Sequence, residues 1–191
     1  MTTVTRLAVP SALDAASDAL LADRAADGDV RAFEVLVRRH GPLMRVHAGR
    51  ILGSNDETDD VVQESFITAW RQLPTLENGA AVKSWLMRIC GRKSIDRVRA
   101  RRDHADITET DAAAPATLTP HHVAETQEQA EALARCLADL PDDQRRCWTL
   151  RELGEYSYTD IAEELDLPVS TVRGLLARAR KTLLRELEDW R

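Results

Sequence analysis

The side chains best suited to chemistry in this chain are cationic, and they concentrate in two places. The run STVRGLLARARKTLL (170–184) carries Arg173, Arg178, Arg180 and Lys181, with Arg185 one position beyond and no acidic residue among them. The run KSWLMRICGRKSIDRVRARR (83–102) holds eight Lys or Arg residues, at 83, 88, 92, 93, 97, 99, 101 and 102, against the single acid Asp96. Guanidinium and ammonium groups arrayed along one element suit phosphate oxygens, which they meet as charge-assisted donors. The whole chain has a formal charge of −6, but phosphate contact depends on the local patch. A third polar cluster has the opposite sign: Asp59, Asp60, Gln63 and Glu64, within ETDDVVQESF.

Groups for covalent or metal chemistry do not assemble. There is no Gly-rich phosphate loop, no nucleophile elbow and no His, Asp or Glu at metal-ligand spacing. No catalytic residue, no metal and no cofactor is therefore expected, and an enzyme is the weaker reading. Cys90, Cys136 and Cys147 are odd in number and show no C-x-x-C spacing. They read as reduced, mostly buried small residues, with a redox role for one of them as the minor alternative. The pair His121–His122 lacks neighbouring ligands and reads as solvated. No run of 18 apolar residues is present, so no membrane insertion is expected. The N-terminus lacks a compact apolar core behind a basic end, so no signal peptide is expected, and the reduced cysteines read as those of a cytoplasmic protein.

The elements that position these residues read as helices. Aromatic residues are only 4% of the 191, so a core must rest on Leu, Val, Ile and Ala, and no segment of useful length has strand periodicity. The spacing predicts an all-α fold of two small helical bundles joined by a flexible linker. Residues 1–17 read as a flexible tail and 18–102 as the first bundle. Within it Gly28 marks a turn, Asp29 caps a helix through VRAFEVLVRRH, and Gly41-Pro42 interrupts it before a further helix over 43–52. A fourth helix starts in the acidic stretch at Asp56 and places Val62, Phe66, Ala69 and Leu73 at helical spacing. A fifth runs from about Val82 to Arg102. Residues 103–126, rich in Ala, Thr, Pro and acid, read as the linker. The second bundle spans 127–191: a helix that stops before Pro141, a second closed by Gly154, and then SYTDIAEELDLPVSTVRGLLARAR.

That last segment has the arrangement of a helix-turn-helix, over about 158–178. Ile161, Ala162 and Leu165 face a core, Leu167-Pro168-Val169 makes a short turn, and Ser170 or Thr171 offers an N-cap hydroxyl. On the second helix Val172, Leu176, Ala179 and Leu183 form one stripe. Ser170, Thr171, Arg173, Gly174, Ala177, Arg178 and Lys181 are then left to meet DNA in a major groove. A merely solvated basic helix is the bland alternative. Two basic surfaces on separate bundles suit a bipartite DNA site, because the first contact raises the effective concentration of the second.

Taken in order, ADGDVRAFEVLVRRHGPLMRVHAGRILG, DETDDVVQESFITAWRQL and KSWLMRICGRKSIDRVRARR resemble region 2 of the extracytoplasmic-function sigma factors of bacterial RNA polymerase. LADLPDDQRRCWTLRELGEYSYTDIAEELDLPVSTVRGLLARARKTL resembles their region 4. The resemblance implies a sigma factor that directs core polymerase to promoters and opens the strands, without being an enzyme itself. It implies that Asp59, Asp60, Gln63 and Glu64 bind the clamp helices of the polymerase β′ subunit, and that the second bundle meets the β flap. The loop 74–82 and the fifth helix would hold the −10 element through Asn78, Lys83, Trp85, Arg88, Arg92, Lys93, Arg97 and Arg99. The helix-turn-helix would bind the −35 element, the linker would thread towards the polymerase active-site cleft, and an anti-sigma factor would hold the protein inactive. The sequence departs from the family pattern at Gly91, where a basic residue is usual, and at Arg92, where Asn is common. It departs again at Gly174 and Leu175, where a small polar and a basic residue are usual. An ordinary helix-turn-helix regulator and a protein-interaction adaptor are the rival readings; the first leaves the 18–102 bundle unexplained, and loss of promoter output on Arg173→Ala or Arg178→Ala would exclude the second.

Overall fold

The computed structural model describes residues 12–105 and 132–188. The tail up to residue 11, most of the expected linker with His121–His122, and residues 189–191 lie outside the described residues. Within them the chain is helical and contains no strand. The first bundle is built from α1 (Asp18–Ala26), α2 (Val30–Leu52), α3 (Thr58–Gln72) and α4 (Val82–Ala105), with two single 3₁₀ turns, Leu73–Thr75 and Gly79–Ala81, between the last two. The second contains a helical stretch over 132–138 (α5), then α6 (Asp142–Glu152), α7 (Tyr158–Leu165) and α8 (Val169–Glu188).

The start of α2 shows how local chemistry sets an element. Gly28 takes φ +92°, a conformation glycine adopts without strain, and reverses the chain after α1. The Asp29 carboxylate then accepts from the N–H groups of Arg31 at 3.0 Å and Ala32 at 3.2 Å, satisfying two donors that the helix start leaves unpaired. These bonds, with the Arg24 guanidinium alongside, hold its carboxyl below the usual range.

The expected interruption at Gly41-Pro42 does not occur: α2 continues through both to Leu52. Pro42 lacks the N–H that would bond the Arg38 carbonyl, but both residues are exposed, so water can serve that carbonyl. Gly41 is buried, and a Cβ built there would stand 3.8 Å from the Phe66 ring. Tertiary packing of α2 against α3 and α4 overrides the local break. The helix ends at Gly53, in the left-handed region at φ +72°. At the other end of the bundle α4 runs three residues beyond the expected boundary, to Ala105.

Leu21, Leu36, Met44, Ile51, Leu73, Leu86 and Met87 are the fully buried centre of the first bundle. The second has its own small core of Leu137, Leu140, Ala179 and Leu183 under α5. The bundles are not merely tethered. Cys147, Leu150, Tyr156, Ile161, Ala162, Val172 and Leu176 belong to the same buried cluster as the first bundle's core, and α6 lies along α2. Two guanidiniums complete the joint. Arg145 and Arg146, both buried, donate through Nε to the carbonyls of Arg50 at 3.0 Å and Ile51 at 3.2 Å, the open end of α2. Cations at a helix C-terminus complement its dipole as well as its unpaired carbonyls.

Candidate nucleic-acid interface

The helix-turn-helix is held by backbone bonds more than by its proline. Ser157 and Asp160 form a reciprocal capping box at the start of α7: the Ser157 hydroxyl accepts from Asp160 N at 3.1 Å and the Asp160 carboxylate from Ser157 N at 3.0 Å. The same bonds to Ser157 keep the Asp160 carboxyl below its ordinary value. Asp166 then turns left-handed at φ +53°, and Leu167 N donates to the Ala162 carbonyl at 2.9 Å, ending α7 one residue before the expected turn. The expected cap of the next helix shifts as well. Val172 N donates to the Pro168 carbonyl at 3.1 Å, so α8 begins at Val169 and Pro168 occupies the cap position. Ser170 and Thr171 therefore stand inside the first turn with their side chains outward, because proline has the fixed φ that a helix start accepts.

On α8 the stripe Val172, Leu176, Ala179 and Leu183 is buried. Opposite it Ser170, Thr171, Arg173, Ala177, Arg178 and Lys181 are exposed, with Gly174 half-buried between them. A Cβ built on Gly174 meets nothing closer than the Arg178 guanidinium, 3.5 Å away, so packing does not require glycine there. Arg180 points away from this face and pairs with Glu152 at 3.1 Å. The result is one continuous outward surface of hydroxyls, two guanidiniums and an ammonium around a small-residue centre.

The cations of α4 divide between two faces. Arg97 bridges Glu57 and Glu64, each at 3.1 Å, Lys93 pairs with Glu64 at 3.8 Å, and Arg101 pairs closely with Glu57. Burial pushes the Glu57 carboxyl up, but the guanidiniums of Arg101 and Arg97 outweigh it and hold it below the usual range. Lys93 and Arg97 thus brace α4 on α3. Lys83, Arg88, Arg92 and Arg99 lie on the other side, facing α7 and the turn before it. Asn78 is exposed and its side-chain Oδ1 accepts from Ala80 N at 3.0 Å, shaping the 3₁₀ turn that leads into α4. Trp85 is half-buried and packs on the core.

The acidic residues of α3 flank a groove. Asp59, Asp60, Gln63 and Glu64 are exposed, and Asp59 pairs with Arg45 across from α2 at 2.6 Å. Beside them Val37, Pro42, Phe66, Ile67 and Trp70 line an open, mostly apolar trough between α2 and α3. Phe33 stands edge-on to Phe66, with ring centroids 6.2 Å apart, and shapes its floor.

Two family descriptions match the chain: Sigma-70 region 2 over residues 36–104, and Sigma-70, region 4 over residues 130–183. The ECF RNA polymerase sigma-E factor of Salmonella typhimurium (strain LT2) is 33% identical over 177 residues, covering 87% of this chain and 92% of that one. The sigma-E factor of Haemophilus influenzae is 35% identical over 182 residues, covering 90% and 96%. The chain belongs to the ECF sigma factors of the sigma-70 family.

Solved structures agree on the fold. CnrH, in complex with the cytosolic domain of CnrY, matches with a TM-score of 0.52 and 30% identity over 90% of this sigma factor and 97% of CnrH. The sigma factor RpoE of Bartonella quintana, in complex with the anti-sigma factor NepR, matches at 0.57 and 22% identity over 82% and 96%. Neither basic surface of this sigma factor contains a group of His, Cys, Asp and Glu that could hold a metal ion, among the described residues. No helix among them is long and apolar enough to cross a membrane. Cys90 and Cys147 are buried, and burial pushes both thiols up to about 12, which leaves them as poor thiolates.

Sequence reasoning missed the residues that join the halves. Arg145 and Arg146 carried a weak signal, two adjacent cations on a helix with an apolar face. Tyr156 carried none. Its hydroxyl donates to the Arg88 carbonyl at 2.9 Å, across 68 positions of the chain. His47 is fully buried with no hydrogen-bond partner on either nitrogen, and burial pushes it down to about 3.

Proposed function

We propose that this sigma factor binds core RNA polymerase and brings it to promoters whose −35 element is read by the outward face of α8. The single observation that carries the reading is that face: Arg173, Arg178 and Lys181, with Ser170 and Thr171, stand opposite a fully buried stripe on the second helix of a helix-turn-helix. The domains are then region 2 over 18–102, a linker over 103–126 and region 4 over 127–191. The −10 strand lies on the basic face of α4, with Lys83, Arg88, Arg92 and Arg99 as its cations and Asn78 and Trp85 at its upstream end. Lys93 and Arg97 contribute by bracing that helix. Asp59, Asp60, Gln63 and Glu64 meet the β′ clamp helices, and the apolar trough beside them gives a helical partner something to bury. The protein acts in the cytoplasm and performs no chemistry itself. CnrH and the Bartonella factor were each solved with a partner, the latter an anti-sigma factor, which supports an anti-sigma partner here.

Run-off transcription tests the reading. Core polymerase with this protein initiates from its own promoters, and Arg173→Ala or Arg178→Ala weakens promoter binding by about 1–3 kcal/mol where the side chain reads a base. A phosphate contact instead gives a smaller loss, uniform across sequences, with a shallower salt dependence. Tight duplex binding with no initiation and no affinity for core polymerase would return the protein to the ordinary helix-turn-helix regulators.

A further inference from the structure

The departure at Gly91 finds its reason at the joint between the bundles. Gly91 is buried in the interior of α4, where glycine costs about 1 kcal/mol relative to alanine. Its backbone is ordinary helix, so conformational freedom is not what it supplies. A Cβ there would lie 2.8 Å from the Tyr156 hydroxyl, 3.0 Å from His47 Nε2 and 3.3 Å from Leu150 Cδ2. Two of those three atoms belong to the second bundle. The missing methyl is the seat into which Tyr156 settles, so that its hydroxyl reaches the Arg88 carbonyl while the Arg88 guanidinium covers its ring at 5.7 Å.

Around that seat the charges are complementary. Lys83 faces Glu155, Arg88 faces Asp160 and Arg92 faces Glu164, each at 3.6 Å, and Arg99 donates to the Glu164 carbonyl at 2.6 Å. These are the four cations assigned above to the −10 strand. The Lys83–Glu155 and Arg88–Asp160 pairs are largely exposed and individually worth little, and in the third Arg92 is exposed although Glu164 is not, so the apolar joint and the arginines on the end of α2 hold the bundles together. The carboxylates add selectivity: they place negative charge where phosphates would otherwise lie. The reading face of α8 takes no part in the joint and stays outward.

We propose that the second bundle is the first occupant of the −10 surface: the chain closes on itself through Gly91 and Tyr156, the acidic edge of α7 stands in for a promoter strand, and the −35 helix remains open to duplex DNA. The masking of the −10 surface rests on the assignment of α4 under Proposed function; the closure does not. A closed chain binds single strands only after the second bundle lifts, so its apparent affinity is lowered by the fraction that is open.

The test uses the full-length chain with Gly91→Leu as a wedge that changes no charge, and Tyr156→Phe as a milder variant should the wedge disturb folding. Small-angle X-ray scattering reads the closure, and fluorescence anisotropy with a short AT-rich single-stranded oligonucleotide reads the masking. The wild type scatters as one compact particle. The variants keep their helical circular dichroism, expand, and bind the strand more tightly at the same salt, by about tenfold for the wedge if some nine-tenths of the wild type is closed. Duplex binding stays unchanged. An extended wild type overturns the closure. Expanded variants that bind the strand no more tightly overturn the masking. If neither form binds a single strand at all, the −10 assignment of α4 falls with the masking, while scattering still decides the closure.

Discussion

Gly174 and Gly91 both stand inside helices, yet the structure gives them opposite roles. At Gly174 a methyl group meets open space, with only the Arg178 guanidinium near. Gly174→Ala therefore raises stability by about 0.5–1 kcal/mol, through a less flexible unfolded chain and better helix propensity, as thermal unfolding will register. The same change should weaken duplex binding if glycine lets the backbone of α8 approach DNA closely; unchanged binding would remove that role. His47 makes a prediction of a different kind. It is buried neutral with a folded pKa of about 3, below its ordinary value of 6.5, so the folded state resists the proton that the unfolded chain accepts. Its neutral form stabilises the fold fully above pH 6.5, and that contribution is lost as pH falls from 6.5 towards 3, at up to about 1.4 kcal/mol per unit. His40, also lowered by burial though opposed by Asp18, acts with the same sign. Urea unfolding at several pH values should show the slope, and His47→Gln should make it shallower.

At the scale of elements, α4 does two jobs, and its two faces separate them. Arg97 is held by Glu57 and Glu64, so Arg97→Ala loosens α3 from α4 and shows chiefly as lost stability. Arg88 lies on the face assigned to DNA, so Arg88→Ala should reduce the salt dependence of single-strand binding by roughly one phosphate contact. Comparing denaturation midpoints and salt slopes for the two variants distinguishes brace from binder; equal salt slopes would place both on one surface. Most of this helix was legible in the sequence, because apolar spacing and the acid-poor run gave its start and its charge. Which cations face α3 was not legible. Helical position alone leaves Lys93 and Arg97 equivalent to Arg92 and Arg99 until the partner carboxylates on α3 are placed. Pro42 teaches the complementary lesson: a reliable local breaker was overruled because α2 packs on both sides of it.

For the whole molecule the consequential feature is that the halves share a core. Arg145 and Arg146 close the end of α2 from the second bundle, and each is also paired with Asp142. Arg146→Ala leaves the Ile51 carbonyl without its buried donor and costs about 1–3 kcal/mol, the range for an unsatisfied buried group. Because that energy couples the bundles, the variant should lose coincidence between the unfolding of the first bundle, followed by Trp70 and Trp85, and that of the second, followed by Trp148. A single shared transition would mean that the apolar joint alone couples them.

The sequence by itself determined the all-α class, the buried stripes of α3 and α8, the acidic and basic clusters and the helix-turn-helix, because these follow from spacing within about twenty residues. Tertiary structure alone decided that α2 is continuous, that the cations of α4 serve two faces and that the second bundle docks on the first. Each of those outcomes depends on atoms far apart in the chain, such as the Tyr156 hydroxyl on the Arg88 carbonyl. No local pattern encodes such a contact.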